Sequence, residues 1–531
     1  MVGPVRRCEL TASAASGLAE RVVGDVLRRP ARLGPTDIVV RAVTPSGETV
    51  WTAAELLSDA EGVAAGLLAR YAPGDRIATC LVNGPEAVLL QLGVALAGMT
   101  LVPVNPRSRP QEIEHALSLS GATAIYAAED AAGNPAADIA TDLTLPLEVF
   151  RCDGDWRALV TAETVPLPDV APDALAQIQF TSGTTGRSKG VRITHHGMVV
   201  TSHAFRDRIG LPTGGTWVNP MPLFHTAGNV LGVLGALWQR CEHVVLPFAP
   251  APVLSLLAAR EATLLSAAPT LLDLLMARPE IHTADLDALQ VVFTGGQTIG
   301  PAFAERVERT FGARLSTTFG MTETCGAALQ TAPTDPDEVR WTTVGRPLPG
   351  TDVRIATPAG HATAPGEPGE LWLRGARLTT GYYGDDQATA AAIDRDGWLH
   401  TGDLAIMDAT GACRIVGRLK DMIKTGGENV SPEEVEEVIA AHPSVARAAV
   451  VGAPHDRWGE LVVAFVVAAE GAGTVEPAAL EQHCRERLSP FKVPRAWRVT
   501  DELPMTASTK IQRAELRRRA AADPTLRPRT S

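Results

Sequence analysis

The feature that most constrains this chain is the alternation of short buried-strand patterns with helical patterns between residues 38 and 319. Residues 38–43 and 49–52 read as a hairpin. Residues 53–71 place Leu56, Leu57, Val63, Leu67 and Leu68 on one helical face. Strand patterns at 76–82, 101–104, 122–127, 217–221, 243–246, 264–267 and 291–294 then alternate with helix patterns at 85–97, 111–119, 195–209, 230–238, 251–261, 270–277 and 302–311. Such alternation predicts parallel sheets with helices on both faces. Gly295, Gly296 and Gln297 follow a buried strand directly, where open α/β sheets bind their ligands.

One stretch breaks the pattern. Residues 180–191, FTSGTTGRSKGV, set Thr181, Ser182, Gly183, Thr184, Thr185, Gly186 and Ser188 before Lys189 and Gly190, between two apolar strand patterns. Hydroxyls and exposed backbone N–H groups can cradle phosphate oxygens, and glycines let the backbone come close. The lysine adds a point charge for β/γ-phosphates. A Walker A loop needs Gly-Lys-Ser/Thr opening a helix; here Gly190 follows Lys189 and a strand follows both. A Ser/Thr/Gly linker has no reason to hold a lysine between two strands.

Beyond residue 335 proline and glycine become frequent and the strand patterns shorten, which predicts a β-rich subdomain or small barrel. After Arg418 the texture changes again. Residues 431–441 form an acidic helix with Ser431 as N-cap, followed by strands at 445–451 and 461–468 and a helix at 477–488, a compact α+β unit. An N-terminal helix is predicted over 15–28, and residues 514–531 read as a frayed tail. A chain of 531 residues exceeds one core. The fold class is therefore α/β: a large N-terminal domain of two αβ lobes plus a β-rich subdomain, then a small α+β C-terminal domain. The net charge of −12 argues against nucleic acid or an anionic membrane as partner. Seven scattered cysteines without a CxxC pair indicate free thiols in a reducing, cytoplasmic compartment. No apolar run reads as a signal peptide or a membrane span.

Further motifs follow in order: FGMTE at 319–323, GWLHTGD at 397–403, GRLKDMIKTGGENVSPEEVE at 417–436 and LPMTASTKIQR at 503–513. Together with the phosphate loop they resemble the signature motifs of the adenylate-forming superfamily: acyl-CoA synthetases, peptide-synthetase adenylation domains and firefly-type luciferases, most of all an acyl-CoA ligase. The resemblance spans roughly residues 35–515. It implies that a carboxylate attacks the α-phosphate of ATP to give an acyl-adenylate, that a thiol then displaces AMP, and that a mobile C-terminal cap rotates between the two steps. It divides the chain into an N-terminal adenylation domain over 1–417 (lobes 1–170 and 171–334, β-rich part 335–417) and a cap over 418–531 with its hinge near Lys420.

The resemblance also implies roles. Glu323 is the magnesium-binding acid, a hard oxygen ligand for a hard cation. Thr184 and Thr322 bond phosphate, Phe319 stacks on adenine, and Thr318, Gly320 and Met321 complete that strand end with Gly295, Gly296 and Gln297. Asp403 accepts both ribose hydroxyls, and Arg418 contacts ribose and phosphate. Lys510 is the catalytic lysine of adenylation, a charge between the attacking carboxylate and the α-phosphate; Thr509 precedes it where many relatives have glycine. His225 gates the acyl site. Lys424, Gly426 and Gly427 belong to the face used in the thiol step.

The acyl pocket is assigned to His225, Thr226, Ala227, Gly228, Asn229, Gly320, Cys325 and Gly326. No acid follows Phe224, and a buried ammonium without a counter-charge is costly, so an amino acid is disfavoured. Small apolar residues leave room for a bulky, mostly apolar carboxylic acid. ATP, Mg2+ and coenzyme A are the expected cofactors and co-substrates. A carrier-protein phosphopantetheine is the alternative acceptor, and a non-catalytic nucleotide-binding scaffold the alternative of another class. The oligomeric state is open, a homodimer included. High Ala and Arg usage fits a GC-rich bacterial source.

Overall fold

The computed structural model describes residues 7–11, 18, 20–128, 134–152, 155–181, 188–210, 213–259, 262–297, 299–426, 428–455, 457–469, 471, 475–505 and 511–523. Ser182, Gly183, Thr184, Thr185, Gly186, Gly427, Thr509 and Lys510 lie outside the described residues.

The α/β alternation builds two sheets. The nine-stranded sheet runs Arg346–Pro347, Leu329–Gln330, Arg314–Phe319, Val291–Gly295, Leu264–Ser266, Thr216–Asn219, Glu242–Val245, Ile38–Thr44 and Gly47–Thr52. Its centre is parallel and its ends are antiparallel. The six-stranded sheet runs Glu148–Arg151, Ala124–Ala127, Arg76–Cys80, Thr100–Pro103, Leu175–Phe180 and Gly190–Thr194. One large core joins the lobes, with Leu56, Val63, Leu89, Phe205, Trp217 and Leu237 drawn from helices and strands of both.

Sheet membership does not follow the division at residue 170. The early hairpin Ile38–Thr52 extends the nine-stranded sheet, and the phosphate-loop strands close the six-stranded one. Local periodicity marks a strand but carries no information about which distant edge it completes. The β-rich part is an open five-stranded sheet rather than a closed barrel, in the order Glu9–Leu10, Thr351–Ala356, Pro368–Gly375, Leu399–Met407 and Cys413–Arg418.

The small C-terminal domain is a sheet of Glu428–Val430, Ile423–Thr425, Gly459–Ala468 and Val445–His455, with Ala496–Val499 added in parallel to Gly459–Ala468. Side chains alternate across it. Val450 and Val462 enter one core with Val435 and Leu480; Val451 and Val463 enter another with Leu503 and Leu516. That second core corrects the expectation of a frayed tail, because Arg513–Ala522 is a helix that buries Leu516 and Ala520. The N-terminal helix also lies later than expected, at Val23–Leu33. Ser431 is the N-cap residue of the helix Pro432–Ala440, as expected, but its hydroxyl makes no cap bond and donates instead to Val416 O at 2.6 Å.

Candidate active site

The phosphate-loop motif occupies a true hairpin. Leu175–Phe180 and Gly190–Thr194 pair antiparallel, with Phe180 opposite Gly190. At the loop base Thr181 N donates to Lys189 O at 3.0 Å. The far side of this hairpin is docked on residues 379–383. Arg192 N donates to Gly381 O at 3.0 Å and Tyr383 N to Gly190 O at 2.7 Å.

Two adjacent parallel strands bring the other expected nucleotide residues together. Val291–Gly295 pairs with Arg314–Phe319 so that Gly295 lies opposite Thr318, which sets Gly295, Gly296 and Gln297 beside Thr318, Phe319 and Gly320. The Thr318 hydroxyl is committed to Leu329 O at 2.7 Å, so its backbone lines this end. Phe319 packs on the core of the five-stranded sheet that carries Asp403. After Met321 the chain makes a short 3-10 turn, Thr322–Thr324, and buries Glu323. Its carboxylate Oε1 accepts from Tyr382 Oη at 2.8 Å, and its carbonyl accepts from Thr379 N at 2.7 Å. Lys189 Nζ sits 4.6 Å from the centroid of the same Tyr382 ring. Sequence reasoning missed Tyr382; its only signal was Gly381-Tyr382-Tyr383-Gly384, a turn-like string in a glycine-rich region. Burial and the neighbouring Glu323 hold the Tyr382 hydroxyl protonated well above its ordinary range.

The expected acyl wall is a region of close approach. A Cβ on Gly320 would overlap the Gly326 carbonyl, and one on Gly228 would overlap that of Pro222. Gly326, at φ +99°, lies against Thr226 Oγ1. Cys325 turns its side chain into the core. Its thiol donates to Arg377 O at 3.1 Å, is pushed up to about 12 by burial and is committed to the core. The helix expected at 230–238 is a π-helix, Ala227–Leu234, continued by a short α-helix, Gly235–Gln239. Widened turns of this kind are rare and concentrate at functional sites.

Asn229 is buried in this π-helix, within a chain of amides the sequence did not reveal. Gln91 Nε2 donates to Asn229 O at 3.0 Å, and Asn229 Nδ2 to Gln177 Oε1 at 3.1 Å. Gln177 Nε2 donates to Gln179 Oε1 at 2.7 Å, and Gln179 Nε2 to Phe224 O at 2.9 Å. The strand that ends in the phosphate loop is thereby tied to the loop that carries half-buried His225, whose ring lies 4.6 Å from that of Phe224.

At the domain border Asp403 Oδ1 accepts from Arg418 Nε at 2.7 Å. Burial raises the Asp403 carboxyl above its usual range, and Arg418 opposes that rise. Lys420 is lowered by burial. Lys424 N donates to Glu460 Oε2 at 2.7 Å, and Gly426 is packed against Trp458.

The residues fit a nucleotide with its metal. Among the described residues Asp403 Oδ2 is buried without a hydrogen-bond partner, which suits a ribose hydroxyl. Among the described residues no group of three or more His, Cys, Asp or Glu could hold a metal, so a magnesium ion at Glu323 would be shared with phosphate oxygens, as that ion prefers.

Residues 27–383 match the AMP-binding enzyme family and residues 434–510 its C-terminal domain. The chain belongs to that family. It is 35% identical over 486 residues to the 3-[(3aS,4S,7aS)-7a-methyl-1,5-dioxo-octahydro-1H-inden-4-yl]propanoyl:CoA ligase of Mycobacterium tuberculosis, covering 88% of this chain and 93% of that protein. It is 35% identical over 494 residues to a feruloyl-CoA synthase of an Amycolatopsis species, covering 92% and 97%. Its fold matches the o-succinylbenzoate CoA synthetase of Bacillus subtilis in complex with the acyl-adenylate intermediate, with a TM-score of 0.82 and 28% identity over 94% of this chain and 98% of that one. The protein is an AMP-forming acid–thiol ligase that uses ATP, Mg2+ and coenzyme A. Among the described residues no helix is long and apolar enough to cross a membrane.

Proposed function

We propose that this ligase activates a bulky, mostly apolar carboxylic acid as its acyl-adenylate and then forms the CoA thioester in the cytoplasm. The observation that carries the reading is the uncharged, glycine-lined wall in which Gly320 and Gly326 flank the Glu323 turn and Gly326 lies against Thr226. Two relatives named for bicyclic and aromatic acids support the substrate class. The solved relative holding an acyl-adenylate supports the intermediate. Seven buried cysteines, none of them in a disulfide, agree with a reducing compartment.

In the first step a carboxylate oxygen bonds to the α-phosphorus and the bond to the pyrophosphate oxygen breaks. In the second, the CoA sulfur bonds to the acyl carbon and AMP leaves. Magnesium, when bound, neutralises charge on the phosphates. Glu323 would hold that ion, Asp403 and Arg418 the ribose, and Phe319 the adenine face. Lys189 would meet the outer phosphates. Lys510 would stabilise charge developing at the α-phosphate. His225, held beside Phe224, would gate the wall against the thiol. The hinge is assigned near Lys420 and the cap to 418–531; Lys424, Gly426 and Gly427 would serve the thiol step.

The test is pyrophosphate release from ATP with a panel of apolar acids before any thiol is added, followed by mass spectrometry after CoA is supplied. Pyrophosphate followed by acyl-CoA is the expected result. Adenylate without acyl-CoA would move the acceptor to a carrier protein, and no pyrophosphate with any apolar acid would overturn the substrate class. Lys510→Ala should abolish pyrophosphate release while added acyl-adenylate is still converted to thioester. Loss of both steps would contradict that division of labour.

A further inference from the structure

Tyr382 is the residue through which the phosphate-loop hairpin and the Glu323 turn meet. Its hydroxyl donates to Glu323 Oε1 at 2.8 Å, and its ring carries Lys189 Nζ 4.6 Å from the centroid. It is buried, 9% exposed, and its backbone cannot drift. Tyr382 N donates to Thr389 Oγ1 at 2.9 Å, Tyr382 bridges to Val191 of the hairpin, and the neighbouring Tyr383 N donates to Gly190 O at 2.7 Å. Thr379, on the same segment, donates its N–H to the Glu323 carbonyl at 2.7 Å.

We propose that Tyr382 is a positioning residue for the metal–nucleotide complex: its hydroxyl fixes the Glu323 carboxylate for the cation, and its ring holds the Lys189 ammonium for the outer phosphates. The hydroxyl occupies one carboxylate oxygen and sets the side-chain rotamer, so the other oxygen is presented in one direction. The ring offers Lys189 a resting place that is not the carboxylate. An ammonium–carboxylate pair in a partly buried cleft is stronger than in water, and an incoming nucleotide would have to break it. A cation–π contact is weaker and gives way more readily.

The proposal rests on reading Glu323 as the metal-binding acid, and the experiment separates the two. Mn2+ binding to the complex with α,β-methylene-ATP, which cannot be adenylated, is measured by electron paramagnetic resonance. Metal-free binding of the same nucleotide is measured by calorimetry. Tyr382→Phe keeps the ring and removes one hydrogen bond. It should weaken Mn2+ binding by about tenfold to a hundredfold, the scale of a hydrogen bond to a charged group, with metal-free nucleotide affinity unchanged. Tyr382→Leu should lose both. Unchanged Mn2+ affinity in Tyr382→Phe, with Glu323→Gln impaired, overturns the proposal and leaves Glu323 in its role. Unchanged Mn2+ affinity in Glu323→Gln overturns both. A fall in metal-free affinity in Tyr382→Phe equal to the fall in Mn2+ affinity would mark a merely structural role and also overturns the proposal.

Discussion

Two buried polar networks, one in each domain, differ in charge. The large domain ties its phosphate-loop strand to the His225 loop with neutral amides, Gln91, Asn229, Gln177 and Gln179, ending on Phe224 O. The small domain buries charge. Arg513 Nη2 meets Glu436 Oε2 at 2.8 Å and Glu433 Oε1 at 3.3 Å, and Arg513 Nη1 adds Glu436 Oε1 and the Val450 carbonyl. Four helical residues on, Arg517 reaches Asp421 Oδ1 at 3.0 Å, beside Lys420. Neutral amides lose little hydration and fix groups only at hydrogen-bond range. Buried charges lose much more, and they persist only when geometry and partners are complete. The difference fits what each holds. The amides set a wall within one rigid core. The ion network joins segments distant in sequence: Asp421, the helix Pro432–Ala440 and the helix Arg513–Ala522.

The most severe way to break this contrast is to remove the arginine. Arg513→Met leaves Glu436 buried beside Glu433 without its cation, a change that costs about 3–5 kcal/mol when one member of a buried pair is lost. We expect a lower unfolding midpoint for the small domain by calorimetry and near-complete loss of pyrophosphate release. A second change, Glu436→Leu in the Arg513→Met background, should recover much of the stability, because a fully apolar replacement removes the stranded charge. If the double variant is no more stable than the single one, the network is not electrostatic in origin.

A smaller effect is expected in the large domain. Gln179→Leu strands the Phe224 carbonyl and removes the acceptor for Gln177, which costs about 1–3 kcal/mol. The acid KM should rise while the KM for ATP changes less, because the amide chain ends on the His225 loop. Equal changes in both would show that the chain supports the whole lobe and not the wall.

How much of this was legible in the sequence follows from the range of each interaction. Helices and strands of the α/β lobes carry their own periodicity, and residues 195–209 were bounded correctly from spacing alone. Glu323 and Asp403 stand out in the sequence because each sits in a local string with a chemical purpose, and both are buried in the structure. Tyr382 and the amide chain do not, since their partners lie far away in sequence: 59 residues from Tyr382 to Glu323, and 138 from Gln91 to Asn229. Arg513 was quoted at the end of the Lys510 motif, but its role was hidden because a string rich in Arg and Ala looks solvated until Leu516 and Ala520 are seen against the sheet. Sheet membership of the early hairpin depends on an edge formed by residues 242–245, which no local pattern specifies.

The mildest test uses two buried histidines of the large domain that are neutral when folded. His243 is fully buried, its Nε2 accepts from Asn219 Nδ2 at 2.9 Å, and burial lowers it to about 3. His195 is lowered to about 4 for the same reason, with Nδ1 accepting from Val23 N at 3.4 Å. An unfolded histidine takes up its proton near about 6.5, whereas these two stay neutral when folded. Between those values the unfolded chain binds more protons, so stability is full above about pH 6.5 and falls as the pH is lowered toward 4, by up to about 1.4 kcal/mol per pH unit for each group. His243→Gln keeps an acceptor for Asn219 and has no proton to gain. Urea unfolding of the large domain at pH 7, 6 and 5 should therefore show a shallower loss of stability in this variant, by about one histidine's share. An unchanged slope would mean that His243 is already protonated in the folded protein.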